Sequence, residues 1–179
     1  MLYRNTPDRF GLVTRALHWS VAGLIVVQLS LGFRIADLQP GLANLWLYSL
    51  HKSLGLTVFA LMAIRILWHL ASPPPAPQGG GWQARAARAV HWTIYALMIL
   101  IPLSGWVASS ATGIDVMLFD RFVVPPIAPV SETWETTGFA IHAVATKLLM
   151  ALLALHIGAA LKREMDGDGT LTRMIKGRP

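Results

Sequence analysis

Four apolar stretches of roughly twenty residues limit what this chain can become. They cover residues 17–35, 47–70, 89–108 and 138–161, and about twenty apolar residues in a helix cross the ~30 Å hydrocarbon layer of a bilayer. Inside lipid every backbone amide and carbonyl needs an internal partner, so each stretch is expected to be helical. Together they take up nearly half of the 179 residues, and the segments between them are short. The expectation is an all-α transmembrane four-helix bundle, a single integral membrane domain over 1–179 with no separate soluble domain. With 54% hydrophobic and only 13% charged residues, the composition is that of a membrane protein.

The charges sort by membrane side. Arg4, Arg9 and Arg15 precede the first span, Arg85 and Arg88 lie between the second and third, and Lys162, Arg163, Arg173, Lys176 and Arg178 follow the fourth. Asp37, Asp115, Asp120, Glu132 and Glu135 fall in the opposite connections. The positive-inside rule therefore predicts both termini in the cytoplasm. The net charge of +6 reads as topology and not as nucleic-acid binding, because the bases are not interleaved with aromatics. The first span lacks the pattern of a cleavable signal.

Pro40-Gly41 predicts a short break that makes spans one and two antiparallel neighbours. Pro102 and Gly105 are candidates for a kink in span three. Residues 109–137 are expected to form the longest irregular connection, with Phe122 and Trp134 as interface anchors, and the chain after Lys162 a short polar tail.

There is no cysteine, so any metal must be held by imidazole or oxygen. Five of the six histidines fall at two depths: His51 and His142 near the outer side, and His18, His91 and His156 near the inner. His142 and His156 are fourteen residues apart, which on a helix brings them within about 40° of one face and roughly 21 Å along the axis. A six-coordinate b-type haem needs imidazoles on opposite porphyrin faces, which facing helices can supply. The depths permit an outer haem between His51 and His142 and an inner haem between His18 and His156. Each histidine taken alone could equally be an interfacial side chain with a wet polar tip.

Other residues leave alternatives open. His91 shares the inner depth and is a replacement ligand, a propionate partner or a quinone contact. His69 lies on the stripe of His51, so span two could be the two-ligand helix; its place beside Ser72-Pro73 favours an interfacial residue. Arg65 reaches the inner depth on that stripe, as a propionate partner or a snorkelling side chain. Lys147 is expected to face a neighbouring helix, a protomer or lipid and not haem. Ser53 either tunes the outer ligand or bonds its own helix backbone.

The ordered set Leu17-His18-Trp19, Leu50-His51-Lys52-Ser53-Leu54-Gly55, Arg65 before Pro73-Pro74-Pro75, Ala89-Val90-His91, Ser104-Gly105 and the pair His142 and His156 resembles the bacterial four-span cytochrome b561 family of the inner membrane. The resemblance covers Arg9-Phe10-Gly11 through Thr170-Leu171-Thr172-Arg173-Met174. It implies two haem b groups, with axial roles for His18, His51, His142 and His156, and single-electron transfer usually exchanged with ubiquinone. Some members are similar to superoxide oxidases, and others serve periplasmic redox partners. Two departures stand out. His69 takes the place of a frequent arginine, and Lys162-Arg163 that of a frequent histidine pair, which weakens a histidine-assisted proton route to quinone at that point and leaves His91 as the candidate.

Three functions follow as expectations: a quinone-coupled electron-transfer cytochrome in the bilayer, with an unidentified redox partner and a homodimer left open; a superoxide oxidase; or a haem-free metal transporter or structural subunit. The acidic outer connections, with Lys52, Arg121 and Arg34 as the bases there, rank superoxide oxidation second, since an anionic substrate is steered by positive charge.

Overall fold

The computed structural model describes residues 3–39, 41–76 and 80–177; Pro40, Arg178 and part of the Pro/Gly linker lie outside them. Four long helices, α1 (Leu12–Ala36), α2 (Leu45–Ala71), α3 (Gly81–Ala111) and α4 (Glu132–Met165), are each long and apolar enough to cross a membrane. All four overrun the apolar stretches. Helical hydrogen bonding continues past the edge of the lipid-compatible sequence, so the polar turns Arg85-Arg88 and Glu132–Glu135 belong to α3 and α4. Pro102 lies inside α3 without ending it.

The helices associate as two close pairs, α1 with α2 and α3 with α4, joined through α2 and α3. Small residues explain the α3–α4 contact. A Cβ on Gly138 would stand 2.8 Å from the Cβ of Ala108, so the backbones meet there because neither residue has bulk, the usual route to close helix approach in lipid. The core takes residues from every long helix: Val21, Val58, Met62, Leu97, Met98, Ala145 and Leu149. In sequence these fall between the two histidine depths.

Two expectations need correction. The connection 109–137 is not irregular throughout. It holds an antiparallel hairpin of β1 (Val116–Leu118) and β2 (Phe122–Val124). The turn places Phe119 and Asp120 at φ of 50° and 56°, a conformation that disfavours a bulky side chain. Helix α2 holds it: buried Ser53 Oγ accepts from the Phe119 amide at 2.8 Å and donates to the Met117 carbonyl at 3.2 Å, and Ser49 donates to Asp120. Ser53 thus pins the hairpin instead of bonding its own helix backbone.

The chain after Lys162 is likewise not a loose tail. It forms α5 (Thr170–Lys176), which meets the N-terminal segment. Arg173, 6% exposed, donates to the Asp8 carbonyl, Arg15 donates to the Ile175 carbonyl, and Trp19 Nε1 donates to the Met174 carbonyl. Both termini therefore lie at one end of the bundle, here the terminal end.

Candidate functional site

At the end away from the termini, His51 on α2 faces His142 on α4 with ring centroids 6.1 Å apart and planes 73° from parallel. At the terminal end, His18 on α1 faces His156 on α4 at 6.4 Å and 61°. Helix α4 supplies one ring to each pair. His91 on α3 stands 5.1 Å from His156.

These spacings can be tested against a bound metal. An imidazole nitrogen sits about 2 Å from a first-row metal, and its ring centroid roughly 1 Å further back, so two rings on opposite sides of one ion have centroids about 6 Å apart. Both facing pairs meet this distance, whereas His91 and His156 are too close for it. Among the described residues no group of three or more His, Cys, Asp or Glu converges on a point. The donors come as opposed pairs, which suits a group that fills its own equatorial positions.

The His51–His142 level has room for such a group. A cavity of about 450 Å³ opens between the four helices, within the range of cofactor pockets. Gly32, Gly55 and Gly105, one from each of three helices, line it with both histidines. A Cβ on Gly105 would lie 3.0 Å from His142 Nδ1, and one on Gly32 would lie 3.6 Å from the His51 ring. The close approach at Gly105 lets His142 Nδ1 donate to the Ile101 carbonyl at 2.8 Å. With its proton held there, Nε2 carries the lone pair a metal needs. Among the described residues His51 Nδ1 is buried without a hydrogen-bond partner, while Gln28 donates to the His51 backbone carbonyl at 3.0 Å.

Lys147 differs from expectation. It lines this cavity along with Lys52, although it is exposed on the outer surface of α4. A side chain on a helix leans toward the helix N-terminus, which carries the lysine back toward the level of His142.

The His18–His156 level is more polar. Arg65 Nη2 lies 3.2 Å from His18 Nδ1, and its guanidinium sits 5.3 Å from the centroid of Tyr95. Arginine only donates, so Nδ1 accepts. All nine acidic residues lie outside the four apolar stretches. Arg65 is therefore a fixed charge in the membrane interior with neutral neighbours, a costly arrangement that calls for an anion. His69 is not simply interfacial: its Nδ1 is 3.1 Å from the Tyr95 hydroxyl.

Tyr95, Gln28 and Gly32 were not singled out from the sequence, which marks Gly105 as a kink candidate and not as a cavity wall. A signal existed for Tyr95, which follows His91 by four residues and so shares its helix face. Gly55 carried none beyond its place in a short motif.

A family model for prokaryotic cytochrome b561 matches residues 9–177. The chain is 32% identical over 181 residues to cytochrome b561 homolog 2 of Escherichia coli strain K12, covering 98% of this chain and 95% of that protein. It is 28% identical over 186 residues to cytochrome b561 homolog 1 of the same organism, covering 96% and 99%. To a Yersinia pestis protein named probable superoxide oxidase CybB it is 26% identical over 174 residues, covering 93% and 96%.

Proposed function

The chain belongs to the prokaryotic cytochrome b561 family, a bacterial multi-pass inner-membrane protein for which membership implies haem b, and on that premise we propose that it carries single electrons through two haem b groups to ubiquinone. One observation carries the reading: α4 presents two histidines, each opposed by a ring from another helix at 6.1 or 6.4 Å. His51 and His142 would hold the outer haem, and His18 and His156 the inner one. The basic residues at the terminal end support placing it in the cytoplasm.

Haem b, when bound, takes and releases one electron at its iron. The protein's own residues do the rest. The Ile101 carbonyl fixes the His142 ring and raises its basicity as a ligand. The glycine-lined cavity surrounds the outer site with mostly apolar side chains. With His18 as a haem ligand, Arg65, which here donates to His18 Nδ1, would be free to pair with an anion. A haem propionate is the anion suited to receive it bidentately. His91, beside His156 but too close to oppose it across an iron, is left for the propionate or the quinone. The donor is a redox partner on the outer side or within the membrane.

Purified protein should show a bis-histidine haem b spectrum on reduction and bind two haems per chain. Replacing His142 with alanine should remove one haem and leave the other spectrally intact. A colourless protein would favour the haem-free reading, and equal loss of both haems would refute the pairing. The name of the Yersinia pestis relative and the place of Lys52 on the outer cavity favour superoxide as an alternative donor. Superoxide consumption coupled to quinone reduction, measured across a salt series, tests it.

A further inference from the structure

At the terminal end a polar chain leads away from the histidine pair, and electron transfer by itself does not require it. His69 lies two residues before the end of α2 at Ala71, where the helix meets the N-terminal segment through Asn5 and Ser72. Its Nδ1 and the Tyr95 hydroxyl are 3.1 Å apart. This contact is a hydrogen bond in either tautomer: the hydroxyl donates to the ring, or the ring donates to the oxygen. Moving a proton along the pair exchanges one arrangement for the other. The far nitrogen, Nε2, is buried and has no partner among the described residues, so it is the free end of the chain.

The other end of the chain points toward the redox site. Tyr95 follows His91 by four residues on α3, so the two side chains neighbour each other on one face, and His91 is 5.1 Å from His156. The Arg65 guanidinium, 5.3 Å from the Tyr95 ring centroid, places a permanent positive charge where a tyrosine oxygen giving up its proton would need it. Arg65 and Tyr95 are the charged and titratable groups acting on His69 among the described residues. No carboxylate competes for the proton there, since all nine acids lie outside the apolar stretches.

We propose that His69 and Tyr95 deliver protons from the terminal face to a quinone reduced at the His18–His156 level, an assignment that rests on the quinone reading above. For each electron the quinone takes from the inner centre, its oxygen forms a bond to the proton of the Tyr95 hydroxyl as that O–H bond breaks. His69 returns a proton from Nδ1 to the tyrosine oxygen and takes another on Nε2 when side-chain motion admits water from the terminal face, and a flip of the neutral ring then turns the protonated nitrogen back toward Tyr95 for the second electron. Two electrons and two protons convert the quinone to the quinol.

The test compares haem-loaded wild type with His69→Phe and Tyr95→Phe, both of which keep a ring in place. Haem content and spectrum should be unchanged, and oxidation of the reduced protein by ferricyanide, which takes an electron without a proton, should stay within about twofold. Oxidation by a short-chain ubiquinone should slow at least tenfold and lose its solvent deuterium isotope effect. Added imidazole should partly restore the rate in His69→Gly. Ubiquinone rates within twofold of wild type, or a parallel fall with ferricyanide, would overturn the proposal. If haem-loaded wild type is oxidised by ferricyanide and not by ubiquinone, the quinone reading itself has failed and the assignment falls with it, an outcome distinct from a reactive wild type whose variants keep its rate.

Discussion

Gly105 has no side chain to place between α3 and the ring of His142, and the site depends on that gap. A Cβ there would stand 3.0 Å from Nδ1 and 3.2 Å from Cε1, so the ring could keep neither its position nor its bond to Ile101. Gly105→Ala is expected to weaken haem binding at the outer level and to leave the inner haem in place, as haem content and the reduced spectrum would report. Gly158→Ala provides the control. Among the described residues nothing from a neighbouring element lies within 4 Å of a Cβ there, so that variant should bind both haems normally and gain helix propensity. The two glycines look alike in the sequence, and only the neighbouring helix distinguishes them.

Among the elements, α5 shows how a short polar segment acquires structure. Seven residues are too few to be a stable helix alone. Glu164 accepts from the Leu171 and Thr172 amides and from the Thr172 hydroxyl, and Asp168 accepts from the Thr170 amide and the Arg163 guanidinium. Burial pushes the Asp168 carboxyl up, but the bonds from Thr170 and Arg163 outweigh it and hold the group below its ordinary value of 3.8. A carboxyl depressed on folding contributes stability that is present above its unfolded value and is lost as pH falls through the folded one. Docking of α5 is therefore expected to weaken below about pH 4. In Asp168→Asn that acid dependence should diminish, as thermal unfolding across an acidic pH series would measure. The hairpin follows the same logic at the other end: its turn tolerates Phe119 and Asp120 at positive φ because Ser53 and Ser49 hold them.

For the molecule as a whole, the division into α1/α2 and α3/α4 pairs matters most. Both opposed histidine pairs reach across from α4 to the α1/α2 pair, and the 450 Å³ cavity lies at that seam. A cofactor ligated from both sides, as proposed above, would tie the helix pairs together, and anything bound only by the folded state raises its stability. Removing haem is expected to lower the unfolding temperature and to raise amide exchange in α4 between His142 and His156 more than in α3 near Ala108. Equal protection with and without haem would show that the seam holds itself.

The sequence by itself determined the membrane-spanning helical class, because only internally hydrogen-bonded helices of that length survive in lipid. It also determined that paired imidazoles are the available metal donors, because the chain lacks cysteine and keeps its acids out of the spans. Helical periodicity placed His142 and His156 on one face before any fold was known. Tertiary structure decided what faces them, because distance across a bundle depends on packing between helices and not on spacing along one. It brought His18 and not His91 to the separation that opposed ligands need. It turned Lys147 toward the cavity, engaged Ser53 with a hairpin, and joined His69 to Tyr95 through a contact between residues twenty-six positions apart.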